Sequence, residues 1–120
     1  HGGSTLLDCL RRNVARIPNN DFLGTRVGDK YVWMSHREVA DVAGHLSYGF
    51  AHHDLAPTRE FEGRDWRFIG VQSKNRAEWQ LANLANMHQR ITTVAFYDTL
   101  GVEASKYILN QTELTTMVVA

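Results

Sequence analysis

At 120 residues the chain is one domain or less. It carries 13 basic and 13 acidic residues, so its formal charge is zero, and neither a nucleic-acid partner nor an acidic solvating tail is expected. No apolar run reaches the roughly 18 residues of a membrane span, while the 43% apolar fraction is that of an ordinary globular chain.

Residues 1–5 have a flexible composition. Ser4 or Thr5 then caps a helix over Leu6–Arg16, with Asp8 in its first turn, where negative charge suits the helix dipole. Leu6, Leu7, Leu10, Val14 and Ile17 form one apolar stripe. Arg11, Arg12 and Arg16 lie off that stripe and read as a solvated face rather than a lipid or phosphate patch. Pro18 and the polar residues after it stop the helix. Cys9 is the only cysteine, which excludes an internal disulfide and a thiolate metal cluster. It is expected as a small core residue. With no signal peptide in view, it also points to a reducing, intracellular compartment.

Residues 22–27 and 31–34 read as two short strands, with Gly28-Asp29-Lys30 as hairpin turn chemistry between them. Ser35-His36-Arg37-Glu38 is a capping box that opens a second helix running to about His52. Val39, Val42, Ala43, Leu46 and Phe50 recur at three- and four-residue spacing as its core stripe. Residues 58–67 are dense in charge of both signs and read as a surface loop or a local insertion.

The organising stretch follows. Apolar runs at 68–71, 91–97 and 114–119 alternate with helical segments at 77–89 and from about Val102 onward. That order calls for a βαβαβ parallel sheet with right-handed crossovers. The first of these helices is apolar around much of its circumference, through Trp79, Leu81, Ala82, Leu84, Ala85 and Met87. It should pack deeply, with Asn83, Asn86 and Gln89 as its polar exceptions. Asn75 with Glu78 resembles its cap, and Thr99 a cap for the next helix. The fold class is α/β. A buried-type strand at 114–119 wants a covering helix after it, so residues 1–120 are expected to be a single incomplete domain of a longer chain.

Chemistry-bearing motifs are few. The histidines are His1, His36, His45, His52, His53 and His88. None forms the i, i+4 pair of a helical zinc site, so they are expected on helix surfaces and no metal site is expected. There is no G-x-S-x-G elbow and no glycine-rich phosphate loop. Lys74 and Arg76 with the following helix N-terminus are the one turn able to hold a phosphate, and it reads as an ordinary helix start. Asn110-Gln111-Thr112 is formally a glycosylation sequon, read as chance.

A family resemblance rests on longer matches. Phe68-Ile69-Gly70-Val71 with Ser73-Lys74-Asn75-Arg76-Ala77-Glu78-Trp79 resembles the S-x-N-x-x-E-W segment of long-chain acyl-CoA synthetases. Residues 93–101 resemble their V-P-L-Y-D-T-L-G turn, through Tyr97-Asp98-Thr99-Leu100-Gly101. Residues 104–114 resemble the helix that follows it. Tyr31-Val32-Trp33-Met34-Ser35 with Arg37-Glu38-Val39 resembles the segment leading into their first large helix, with His36 where an aromatic is usual.

The resemblance implies the N-terminal part of the AMP-binding domain of an adenylate-forming enzyme. Such enzymes join a long-chain fatty acid to ATP, with Mg2+, to give acyl-adenylate and pyrophosphate. They then transfer the acyl group to coenzyme A. The family's Pro-Lys-Gly phosphate loop, adenine motif and catalytic lysine are not in this sequence, so no catalytic residue is named and the chain alone is expected to be inactive. Lys106 is the one candidate contact, to the phosphates of coenzyme A. The resemblance also implies possible membrane association of the full-length protein, at the endoplasmic reticulum, mitochondrion or peroxisome. A competing reading is a non-catalytic interaction or assembly subunit that reuses this half of the fold. An unrelated nucleotide-binding α/β domain is disfavoured by the missing glycine loop.

Overall fold

The first helix, α1, occupies Leu6–Arg16 in the computed structural model, which describes residues 5–120. Its cap is Thr5, whose Oγ1 accepts the Asp8 amide at 3.1 Å while the Asp8 carboxylate accepts the Thr5 hydroxyl at 2.6 Å. Ser4 and His1 lie outside the described residues. Leu10 is the buried member of the stripe; Leu6 is exposed. Cys9 is exposed, contrary to its expected core role. It stands one turn before Arg12, on the charged side of the helix, and accepts the Arg12 Nη2 donor at 3.6 Å.

Strands β1 (Asp21–Val27) and β2 (Lys30–Ser35) form the expected antiparallel hairpin. Its two-residue loop opens on Gly28 at φ 61°, a conformation that costs glycine nothing. Helix α2 (His36–His52) follows from a complete capping box. Ser35 Oγ accepts the Glu38 amide at 3.2 Å, and the Glu38 carboxylate accepts the Ser35 amide at 2.7 Å. The buried row is His36, Val39, Ala43, Ser47 and Phe50. It is rotated from the expected stripe, so Leu46 faces partly outward while Ser47 goes in.

His36 corrects the surface expectation for the histidines. It is buried, its ring stacks on Phe22 at a centroid distance of 4.5 Å, and its Nδ1 lies 3.0 Å from the Asn20 carbonyl oxygen. At the first position of α2 it faces the hairpin rather than solvent, so it serves as the aromatic usual at that position.

Residues 58–67 are more ordered than a charged loop. Strands β3 (Arg59–Phe61) and β4 (Arg64–Trp66) pair antiparallel. Glu62 and Gly63 turn them, both at positive φ (52° and 72°), as a tight two-residue hairpin turn requires. Glu60, Glu62, Arg64 and Asp65 are exposed while Arg59 and Arg67 are half-buried, and Phe61 and Trp66 pack their rings against Phe68.

The remaining elements are β5 (Phe68–Gln72), α3 (Ala77–His88), β6 (Thr92–Phe96), α4 (Val102–Thr112) and β7 (Met117–Val119). The three strands form one parallel sheet in the order β6-β5-β7. The α/β class and the hairpin-then-parallel-sheet order are therefore as expected. Ile69 and Val71 on β5 are shut off from solvent, and Ile69 packs with Phe50, Ala56, Ala85 and Ile91 in the core.

Two polar devices lock this core. Asn86, fully buried on α3, donates to Thr93 Oγ1 at 2.9 Å, and Thr93 donates onward to Asn83 Oδ1 at 2.8 Å. The asparagines thus turn toward β6. Arg67, just before β5, donates to the Ala56 carbonyl at 2.8 Å and the Gln89 carbonyl at 3.1 Å, while Gln89 donates to Ser47 Oγ at 3.0 Å.

Neither expected cap of the later helices forms. The cap residue of α3 is Arg76, one place after Asn75, and Glu78 receives the Arg76 guanidinium through two bonds of 2.7 and 3.1 Å. Gly101 is the cap residue of α4, which leaves Thr99 two places too early.

A side chain at position 70 would have no room. A Cβ there would lie 3.0 Å from Met117 Cγ and 3.1 Å from Phe96 Cε2. Gly70→Val should destabilise the fold by about 1–3 kcal/mol, read as a lower urea midpoint with the slope unchanged; an unaltered midpoint would contradict this packing. The two bonds from Ser35 hold the Glu38 carboxyl below its ordinary value of 4.5. A depressed folded value means stabilisation that is present above the unfolded value and is lost as pH falls through the folded one. The stability difference between wild type and Glu38→Gln should therefore shrink below pH 4.5; parallel pH profiles would exclude this role.

Candidate functional site

The sheet order sets where a ligand would go. From β5 the chain crosses through α3 to β6 on one side, then through α4 to β7 on the other. The crossovers thus change direction between β5 and β7, and open α/β sheets take ligands outside the carboxyl ends of strands at such a point. A cleft of about 490 Å³ lies there, lined by Gln72, Ser73, Lys74, Arg76, Asp98 and Val119 among others.

Each lining group comes from the residues that end a strand or begin a helix. Gln72 closes β5, in register with Phe96 and Val119. Ser73 turns its hydroxyl to the Lys74 carbonyl at 3.0 Å. Lys74 is exposed. Arg76 is committed to Glu78; their pairing raises the arginine's pKa and lowers the carboxylate's. Asp98 adds a negative charge to the same cleft. Lys74 and Arg76 are thus brought together as the sequence suggested, with one cation already satisfied and a carboxylate beside them. No glycine bends the Ser73–Arg76 loop around a phosphate. Gln72 and Asp98 were not singled out from the sequence; the signal was available in the residues that directly follow each apolar run.

Lys106 is placed elsewhere. It sits in the second turn of α4, outside the lining of this cleft, with Nζ 2.9 Å from Glu103 Oε1. Both side chains are largely exposed, and such a pair is weak enough to be exchanged for another anion. No residue of α4 is buried, and Val102 and Tyr107 are exposed.

Two of the other histidines, His52 and His53, find aromatic neighbours. His52 stacks on Tyr48 and meets His53 edge-on at 4.9 Å. Among the described residues, no three His, Cys, Asp or Glu side chains are arranged to hold a metal ion. No described helix is long and apolar enough to cross a membrane.

No protein-family model matches the chain. Its sequence homologues among characterised proteins include long-chain fatty acid–CoA ligases. It is 35% identical over 116 residues to long-chain-fatty-acid–CoA ligase 6 of Rattus norvegicus and 34% to the Homo sapiens ligase 6, covering 96% of this chain in both cases. A peroxisomal acyl-CoA ligase of Penicillium roqueforti is 30% identical over 122 residues. The chain spans about a sixth of the length of these relatives, 16% for ligase 6. In structure it superposes on the adenylation–carrier didomain of a carboxylic acid reductase from Segniliparus rugosus with a TM-score of 0.80, at 16% identity. That match covers 99% of this chain and 18% of the other. It also superposes on a fatty acid AMP ligase of Legionella pneumophila with a TM-score of 0.79, at 11% identity, covering 98% and 20%.

Proposed function

From the homology of this chain, over nearly all its length, to long-chain fatty acid–CoA ligases, we propose that it is the N-terminal part of the AMP-binding domain of such a ligase. The whole enzyme activates a long-chain fatty acid with ATP, releasing pyrophosphate as the acyl-adenylate forms. It then passes the acyl group to the thiol of coenzyme A, releasing AMP. The observation that carries this reading is the match of nearly the whole chain to a sixth of each relative, at about one residue in three.

The role of this segment in that enzyme is scaffolding. Its strands start the sheet, and the turns at their carboxyl ends cap helices rather than wrap phosphates. The cation, ATP and acyl chain are assigned to the rest of the enzyme, because no turn of this segment is a glycine-rich phosphate loop. Lys106 reaches the phosphates of coenzyme A by giving up Glu103. The peroxisomal relative supports an intracellular setting, and membrane association of the full enzyme belongs to the same proposal. The uncovered face of α4 favours a second reading, a non-catalytic subunit that docks through it.

The test is to exchange the matching segment of a long-chain ligase for this chain. The chimera should retain fatty-acid-dependent ATP–pyrophosphate exchange, which the 120-residue chain alone should lack. A folded chimera with no exchange would overturn the ligase reading and leave the docking one. Within the chimera, Lys106→Ala should raise KM for coenzyme A several-fold, by roughly 1 kcal/mol, with the exchange reaction unchanged. An unaltered KM would remove Lys106 from that role.

A further inference from the structure

A second cleft, of about 620 Å³, lies between the first half of α1 and the C-terminal end of α3. Because α3 runs back from the carboxyl ends of the strands, His88 and Arg90 sit at their amino ends, away from the crevice described above. Arg11, His88 and Arg90 line the cleft, with Leu7 and Met87 as apolar wall and Asp8 as its one carboxylate.

Two arginines and a histidine meet there. His88 Nε2 is buried without a hydrogen-bond partner, whereas a buried ring nitrogen ordinarily has one. Arg90 is held just past the helix in the left-handed region, at φ 55°. Among the described residues its guanidinium takes part in no ion pair. Arg11 has a loose contact, 3.6 Å to Asp8, with its side chain 63% exposed. The Asp8 carboxylate is already engaged by the hydroxyl and amide of Thr5 in the helix cap. That cap also satisfies the first turn of α1, so the attraction of the cleft comes from side chains and not from the helix end.

From this arrangement we propose that the α1–α3 cleft binds a phosphoryl group, gripped by the Arg11 and Arg90 guanidiniums beside the His88 ring. Planar guanidinium forks match the oxygens of a phosphate in pairs. Burial, aided by Arg11, lowers the His88 pKa and keeps the ring neutral. The neutral ring forms part of the wall, and the charge of the site is that of the two arginines. Two cations against one engaged carboxylate leave a net positive site. The exposed Leu6 at its rim accommodates a phosphoryl group that is free or one that heads a lipid.

The experiment is an NMR titration of the isotope-labelled chain with inorganic phosphate, and separately with phosphatidylcholine vesicles that contain or lack phosphatidic acid. Saturable shifts of the His88 ring and the Arg90 guanidinium are expected. Arg11→Gln and Arg90→Gln should each weaken binding about tenfold, and Arg37→Gln, on exposed α2 surface, should leave it unchanged. Binding of phosphate alone identifies a free phosphorylated ligand; binding only of vesicles with phosphatidic acid identifies a lipid headgroup. Both support the site. Absence of a saturable His88 response to either probe would overturn it. An equal loss in Arg37→Gln would overturn it too, as unspecific charge attraction. The amide spectrum of each variant reports that its fold is intact.

Discussion

β5 is hydrogen-bonded along both edges, to β6 on one side and β7 on the other, and the rest of the structure is arranged around that constraint. A strand paired on both sides and covered on a face must be apolar and closely fitted. Ile69 and Val71 are accordingly shut off from solvent, and Gly70 leaves space for Met117 and Phe96 to close over it. Arg67 fixes the start of the strand by tying the Ala56 and Gln89 carbonyls together. Those carbonyls terminate the α2 and α3 regions, so one side chain sets three segments in register.

The same strand orders the two ends of the sheet. Its carboxyl end opens on the turn at Ser73 and the cleft at the change of crossover direction. There the available cations are a lysine and an arginine already paired with Glu78. That is a poor phosphate cradle and a good helix start, in keeping with the scaffolding role proposed for this segment. The amino end carries Arg11, His88 and Arg90, of which Arg11 meets Asp8 loosely and His88 Nε2 is buried without a partner.

Much of the fold was legible because local signals agreed with one another. The helix start at Ser4 or Thr5, the capping box at Ser35, the turn at Gly28 and the strand-helix alternation after Arg67 are each set by residues a few places apart. Failures came where tertiary partners decided the outcome. His36 was drawn inward by Phe22, fourteen residues earlier, and Ser47 by Gln89. Glu78 took Arg76 rather than completing a cap, and the charged stretch at 58–67 folded back on a turn whose strands are only three residues long. Of the site, Lys74 and Arg76 were visible as a basic turn. The gathering of Arg11 with His88 and Arg90 was not, since it depends on how α1 packs against the end of α3.

The claim that β5 organises the molecule is tested most directly by native-state amide hydrogen exchange on the chain. The amides of Ile69, Gly70, Val71 and Gln72 should exchange only through global opening, as buried central strands do. The amides of the largely exposed β1–β2 hairpin should exchange through smaller, local openings. Exchange of the β5 amides as fast as those of the hairpin would contradict the account.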